Sequence, residues 1–249
     1  MNVAELLTIK HQALEYFVGS LLRSRAKEYV AKMILFGSLA RREVTPQSDV
    51  DVLIFCWRET KVVFEACLDA QVETYYRFSE SVEPVVFPLE VLRNPDSYFL
   101  YRAINYGEEA YSMDERSLKL KEAQNHLALA EEYAAGARES HASARYRIAA
   151  DTAYNACELC AKALLLLELD EIPFSHGGVV GEFSRLFVKT EQLPKEVGRS
   201  MHKALDLRNK ARYVYNADIS ASDSQEVIEL AGKLLALVSE KLESLPPAQ

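Results

Sequence analysis

The spacing of apolar residues changes once along this chain, near residue 113, and that change limits the fold more than any other feature. Before it, short apolar runs of strand length alternate with segments of helical spacing, whereas after it every apolar pattern has helical spacing. A chain of 249 residues is long enough for two domains that each bury a core. We therefore predict an α+β fold, with an α/β domain containing a small mixed sheet over residues 1–113 and an all-α helical bundle over residues 114–249.

The first domain is predicted to contain three strands between helices. The predicted strands begin at Met33, Asp49 and Val82, and the predicted helices cover residues 3–29, 61–78 and the stretch SYFLYRAINYG after Pro95. Pro84 cannot donate a backbone hydrogen bond to a neighbouring strand, so the strand from Val82 is expected at an edge of the sheet. The second domain is predicted to be helical over residues 116–138, 142–169, 176–188, 195–216 and 222–245.

Charge and cysteine content narrow the class of protein. The formal net charge of -8 argues against a general nucleic-acid binder, because polyanion binding needs clustered Lys and Arg. The four cysteines lack the spacing of a zinc site and are expected as reduced thiols. The first residues lack the apolar core of a signal peptide, and no apolar stretch approaches the ~20 residues of a membrane-spanning helix. We therefore expect a cytoplasmic protein that does not bind membranes.

Two aspartates and a glycine turn are the candidates for chemistry. Asp49 and Asp51 are two residues apart on a predicted strand, so both carboxylates face the same side. Paired carboxylates suit magnesium, which binds hard oxygen ligands together with substrate phosphates. Gly37 and Ser38 stand where the strand from Met33 turns into a predicted helix, and a glycine there lets the backbone approach a phosphate.

The stretch from Gly37 to Asp51, GSLARREVTPQSDVD, resembles the signature of the polymerase-beta-like nucleotidyltransferase superfamily, in particular its minimal nucleotidyltransferases. The resemblance implies a Mg2+-dependent enzyme, with Mn2+ as an alternative metal, that uses ATP or another nucleoside triphosphate. It assigns metal binding and catalysis to three carboxylates, Asp49, Asp51 and Glu83. It assigns nucleotide binding to Gly37, Ser38, Arg41 and Ser48. The family often has glycine where this chain has Arg42, which adds charge and removes freedom from the turn.

The second domain, from about Arg116 to Glu243, resembles the HEPN family of helical domains on the stretches ARYRIAADTAYNACELCAKALLLLELDEIPFSHGGVVGEF and LRNKARYVY. Ribonuclease members of that family have Arg, four residues, then His; here Arg208 is followed by Tyr213 at the histidine position. A tyrosine, with a pKa of about 10, is a poor acid-base group at neutral pH, which argues against ribonuclease activity. In related two-component systems a nucleotidyltransferase adds AMP to a tyrosine two residues further on, where this chain has Tyr215; aromatic packing is the alternative role for that residue.

Two further features of the second domain concern charged residues. The run from Lys195 to Arg212 is locally basic and is interpreted either as a solvated face or as a surface that meets the nucleotide, with Arg208 and Arg212 one helical turn apart. His176 precedes two glycines and is expected at the start of a helix rather than as a metal ligand.

The leading hypothesis is a nucleotidyltransferase that transfers a nucleoside monophosphate, with AMP from ATP preferred, to a hydroxyl of a protein tyrosine or a small molecule. One alternative is an enzyme similar to aminoglycoside nucleotidyltransferases. A second is a regulatory or antitoxin-type module that binds RNA or a protein through a degenerate HEPN ribonuclease site, and a third is an active HEPN ribonuclease toxin. RNA binding is not favoured, and a homodimer is expected by resemblance. The sequence specifies neither the base of the nucleotide nor the acceptor.

Overall fold

The computed structural model describes residues 2–245, which form two compact units divided between Leu118 and Lys119. The first unit is a small mixed sheet with helices and the second is helical, so the α+β prediction is confirmed. The predicted boundary between residues 113 and 114 falls in the connection between the last strand and the helix that begins at Glu115.

Four strands form the sheet of the first unit. In chain order they are β1 (Val30–Phe36), β2 (Val50–Cys56), β3 (Val82–Pro88) and β4 (Glu108–Ser112). The order across the sheet is β3-β2-β1-β4; β1 is antiparallel to both β2 and β4, whereas β2 and β3 are parallel. β3 is thus an edge strand, as Pro84 indicates. The sequence does not predict β4, because EEAYS contains a single residue of high strand propensity, Tyr111.

The helices of the first unit are α1 (Val3–Arg23), α2 (Gly37–Ala40), α3 (Thr60–Phe78), α4 (Glu90–Arg93) and α5 (Tyr98–Tyr106). α1 begins at a capping box, in which the Asn2 side chain accepts from the Glu5 amide and the Glu5 carboxylate accepts from the Asn2 amide. The prediction that this helix reaches residue 29 is wrong. Ser24 is extended and caps a separate 3-10 turn, Arg25–Glu28.

The two faces of the sheet pack against different helices. Alternate residues of a strand point to opposite faces. Val52 and Ile54 of β2 belong to an apolar cluster with residues of α1 and α3, whereas Leu53 belongs to a separate cluster with Leu100 of α5. Asp51 precedes Leu53 by two positions, so its carboxylate lies on the α5 side of the sheet.

The second unit is built around one buried helix. Its helices are α6 (Glu115–Ala142), α7 (Tyr146–Glu168), α8 (His176–Phe183), α9 (Lys195–Tyr213) and α10 (Ala221–Ser244). Alanine, cysteine and leucine side chains bury α7 on most of its faces against α8, α9 and α10. α8 continues into a π turn, Ser184–Val188, and α9 ends at Tyr213 rather than at the predicted residue 216 because Val214 is extended.

The four cysteines are buried free thiols, as predicted. Burial raises the pKa of Cys67 and that of Cys160 to about 12, so both thiols stay protonated at neutral pH. Among residues 2–245, no helix combines the length and the apolar character needed to cross a membrane.

Candidate functional site

The predicted catalytic carboxylates meet at the beginning of two parallel strands. Asp51 of β2 and Glu83 of β3 are register partners, so their side chains share one face of the sheet with backbones about 4.8 Å apart. Asp49 lies one residue before β2, which begins at Val50 rather than at the predicted Asp49. The fold therefore brings Glu83 close to Asp49 and Asp51, from which it is distant in the sequence.

Gly37 leaves the space that the Asp51 carboxylate occupies. Gly37 follows Phe36, the register partner of Asp51, and has a φ of 75°, which favours glycine. A Cβ atom at this position would lie 1.9 Å from Asp51 Oδ2 and 2.8 Å from its Cγ. The glycine is therefore required by a close approach to Asp51 as well as by the turn.

The turn after Gly37 starts only a short helix. α2 has four residues, Gly37–Ala40, and thus a single turn. The predicted helix is present, but one turn aligns few peptide dipoles, so its contribution to phosphate binding is smaller than that of a full helix. The amide groups at the beginning of this turn, which have no intrahelical acceptor, remain the available donors.

The neighbouring carboxylates destabilise the charged form of Asp51. The pKa of Asp51 is raised, first by burial and then by the negative charges of Glu83 and Asp49, while the Arg41 guanidinium opposes the shift. This is the electrostatic setting that a bound cation relieves.

The donor set fits a magnesium site that the substrate completes. Among residues 2–245, no three His, Cys, Asp or Glu side chains are already arranged as a set of metal ligands. Magnesium normally takes one or two protein carboxylates and fills its remaining positions with substrate phosphates and water. Asp51 beside Gly37, with two further carboxylates close enough to shift its pKa, matches that incomplete coordination.

The remaining predicted nucleotide-binding residues surround the same turn. Ser38 lies in α2, and its carbonyl accepts the Glu43 amide at 2.9 Å. The exposed Arg41 side chain pairs with Glu43 at 3.0 Å. The Ser48 hydroxyl accepts the Thr45 amide at 2.9 Å, so it closes the turn that precedes Asp49. Ser48 thus has a local structural partner.

Arg42 occupies a backbone conformation that suits glycine. Its φ is 58°, in the left-handed region. Where the family often has glycine, this chain therefore has an arginine in a backbone conformation that favours glycine.

Lys10 is a site-supporting residue that the sequence interpretation missed. It is fully buried, and its ammonium donates to the Ser48 carbonyl at 2.5 Å and to the Glu80 carboxylate. Those two partners precede Asp49 and Glu83, so one buried charge from α1 connects the beginnings of both acid-bearing strands. Its signal in the sequence is a lysine on the apolar face of α1, four residues from both Leu6 and Leu14.

In the second unit, Arg208 and the two tyrosines have different environments. Arg208 is buried, which contradicts a solvated face at this position of the basic run, whereas Arg212 is more exposed and pairs with Asp151 at 2.6 Å. Tyr213, the last residue of α9, is 74% exposed, and Tyr215 beyond it is 97% exposed. The Tyr215 side chain therefore does not pack against the described residues of this chain.

Arg208 contacts a histidine that lies outside the HEPN motif. Arg208 Nη2 donates to His176 Nε2 at 2.8 Å, and because arginine can only donate, the imidazole accepts at that nitrogen. Its Nδ1–H then donates to Glu158. Burial raises the pKa of Glu158, but hydrogen bonds from Lys162 and His176 outweigh burial and hold it below the usual range. His176 begins α8, as predicted, and in addition its Nε2 lone pair is occupied by Arg208.

Arg147 holds the segment that carries the exposed tyrosines. Its guanidinium donates to the carbonyls of Ala211 at 2.6 Å, Val214 at 2.7 Å and Tyr215 at 3.1 Å. These bonds satisfy carbonyls at the end of α9, where no intrahelical donor exists. The Tyr215 backbone is therefore fixed while its side chain faces solvent.

Comparison with known families agrees with both halves of this description. Residues 19–110 match the nucleotidyltransferase domain family, and residues 123–242 match the HEPN domain family. The protein is therefore a nucleotidyltransferase domain followed by a HEPN domain, as the sequence predicts. The first domain supports nucleotidyl transfer in general. No curated protein is significantly similar to the chain.

Proposed function

We propose that this protein is a Mg2+-dependent nucleotidyltransferase that transfers a nucleoside monophosphate, AMP from ATP in the first instance, to a hydroxyl group and releases pyrophosphate. The observation that carries the proposal is the group of carboxylates around Asp51, beside a glycine whose missing side chain makes room for that carboxylate. Such a site binds a cation and a triphosphate together.

The residues divide the work of an in-line substitution at the α-phosphorus. Asp49, Asp51 and Glu83 would hold the metal, and the Gly37–Ser38 turn would donate amide and hydroxyl hydrogen bonds to phosphate oxygens. A magnesium ion held there would supply positive charge that offsets the negative charge of the triphosphate and of the leaving pyrophosphate. The acceptor oxygen forms a new bond to the α-phosphorus, and the bond between the α-phosphorus and the oxygen that bridges to the β-phosphate breaks, which releases pyrophosphate. Glu83 takes the proton of the acceptor hydroxyl.

Tyr215 supports a protein tyrosine as one acceptor. Its side chain is almost fully exposed and its backbone is held by Arg147, so the phenol is presented without a cost of ordering the segment. The acceptor tyrosine belongs to the same chain or to a second copy of it. A small molecule with a hydroxyl group is the other acceptor class, and aminoglycosides are cationic members of it that suit the negative charge around Asp51.

The test is labelling of the purified protein with each α-labelled nucleoside triphosphate, with magnesium or with EDTA. We expect the wild type to gain one nucleotide in mass and the Asp49→Ala, Asp51→Ala double variant to gain none. Loss of labelling in Tyr215→Phe but not in Tyr213→Phe identifies the acceptor, because both changes remove one exposed phenol.

Other outcomes separate the alternatives. Pyrophosphate release without protein labelling points to a small acceptor, with AMP transfer to kanamycin as the first case to measure. Absence of turnover with any nucleotide and either metal contradicts the proposal. Tight, salt-sensitive RNA binding in that case favours the regulatory module, which the substitution of Tyr213 for the motif histidine supports.

A further inference from the structure

Helix α5 presents an aromatic surface to solvent. Tyr98 is 74%, Phe99 54% and Tyr106 70% exposed, although the helix has nine residues and only Leu100 and Ala103 are buried. Aromatic side chains dominate the apolar area that proteins bury, so several of them exposed on one short helix indicate a surface that contacts a ligand.

This aromatic surface is connected to the carboxylate site by two contacts. The Phe99 ring packs edge to face on the Phe36 ring, with centroids 5.4 Å apart and planes at 79°. Phe36 is the register partner of Asp51 on the antiparallel strand, so their side chains are neighbours on one face of the sheet. The next residue is Gly37. Phe99 therefore contacts Phe36, which directly precedes the Gly37 turn proposed to bind the triphosphate.

The chemistry of the surface suits a flat, nitrogen-rich ring. The sequence of α5, YFLYRAINY, contains no acidic residue. Its one cation, Arg102, lies over the Tyr106 ring at 4.9 Å and is hydrogen-bonded to Tyr98, which raises the pKa of the guanidinium. Aromatic faces beside an arginine are the usual platform for nucleobases, which stack regardless of base identity.

We infer that Phe99, supported by Phe36, is the residue on which the base of the donor nucleotide stacks, and that this contact is tolerant of base identity. The inference rests on the proposed function, because it needs the triphosphate at the Gly37 turn. Because the two rings meet edge to face, Phe36 covers at most one face of the Phe99 ring, and Phe99 is 54% exposed, so a face is left for the base. Stacking reads no hydrogen-bonding edge, so the four nucleotides should bind with similar affinity.

The experiment compares ligands with and without a base. Calorimetry with magnesium measures the Kd of α,β-methylene analogues of ATP, GTP, CTP and UTP, and of tripolyphosphate, which has no base and probes the phosphate site alone. In Phe99→Ala we expect each nucleotide to bind roughly 5- to 100-fold more weakly and tripolyphosphate to bind unchanged. Phe99→Leu keeps apolar packing on Phe36 but lacks an aromatic face and should lose the same affinity, whereas Phe99→Tyr should retain it.

A matched control and the contrary outcomes complete the test. Tyr76→Ala removes an aromatic side chain that is 84% exposed on α3, whose buried residues pack on the opposite face of the sheet, and should change neither ligand. Unchanged nucleotide affinity in Phe99→Ala and Phe99→Leu overturns the inference, and so does equal weakening of nucleotide and tripolyphosphate. If the wild type binds tripolyphosphate and nucleotide equally, the stacking inference fails while the phosphate site stands. If it binds neither, the proposed function fails and the inference fails with it.

Discussion

Replacing Gly37 with alanine tests whether the close approach of Asp51 determines this turn. The new Cβ would lie 1.9 Å from Asp51 Oδ2, 2.8 Å from Cγ and 3.2 Å from Cβ, so the carboxylate must move out of its position. The alanine must also adopt a φ of 75°. Both costs fall on the first unit, at the residues proposed to hold the metal and the phosphates.

The two costs can be estimated separately. A non-glycine residue in the left-handed region costs about 1 kcal/mol. Moving Asp51 away from its preferred side-chain conformation adds about 1 kcal/mol. The expected loss in the free energy of unfolding is therefore about 2 kcal/mol, or roughly 8 °C in melting temperature for a domain of this size. Displacement of the carboxylate should lower activity by about 100-fold.

A double-mutant cycle in urea separates the two terms. The chain has one tryptophan, Trp57, which lies in the first unit and whose fluorescence therefore reports on that unit. In an Asp51→Ala background, where Oδ2 and Cγ are absent, Gly37→Ala should cost only about 1 kcal/mol, a coupling of about 1 kcal/mol. The same change at Gly19 in α1, where only the Arg23 side chain must move, should stabilise by about 0.5–1 kcal/mol. Equal costs of Gly37→Ala in both backgrounds would refute the role assigned to Asp51.

Three further changes test other features of the first unit. Arg42→Gly should stabilise by about 0.5–1 kcal/mol in urea unfolding, because it relieves a φ of 58°; destabilisation would mean that the side chain is needed. Lys10→Met should destabilise by about 3–5 kcal/mol by leaving Glu80 buried without its partner, and adding Glu80→Gln should restore much of the loss; no recovery would contradict the ion pair as the cause. Because the pKa of Asp51 is raised in the folded state, ionisation of this carboxylate destabilises the folded protein relative to the unfolded chain. The unfolding free energy of the wild type relative to Asp51→Asn should therefore fall as pH rises from about 4 to 7, and a difference independent of pH would contradict that shift.

The local sequence predicted most of the secondary structure, for a physical reason. Helices such as α3 and α9 bury residues at helical spacing, and β2 is a mostly apolar run. Each of these patterns can be recognised from residues that are only a few positions apart in the sequence. β4 escaped prediction because it is stabilised by pairing with β1 rather than by its own side chains. The early end of α1 depends on one capping serine, Ser24.

Some features of the candidate site were likewise predictable from the sequence, and others were not. The stretch from Gly37 to Asp51 carries its chemistry in residue types and spacing, so the sequence alone predicted the glycine turn, the paired aspartates and the family. Glu83 followed from the resemblance, which implies a third carboxylate on a later strand. The sequence could not show that the Gly37 turn is needed to admit Asp51, because that contact joins two antiparallel strands.

Only the tertiary structure showed which residues that are distant in the sequence contact the two sites. Lys10 meets Ser48 and Glu80 across 38 and 70 positions, and His176 reaches Arg208 across 32. Sequence determines these residue types and the helices and strands that carry them, since local hydrogen bonds and apolar spacing act over a few residues. Their partners are chosen when helices and sheet pack, because burial of a charged or polar group is tolerated only where the folded chain supplies an opposite charge or a hydrogen bond.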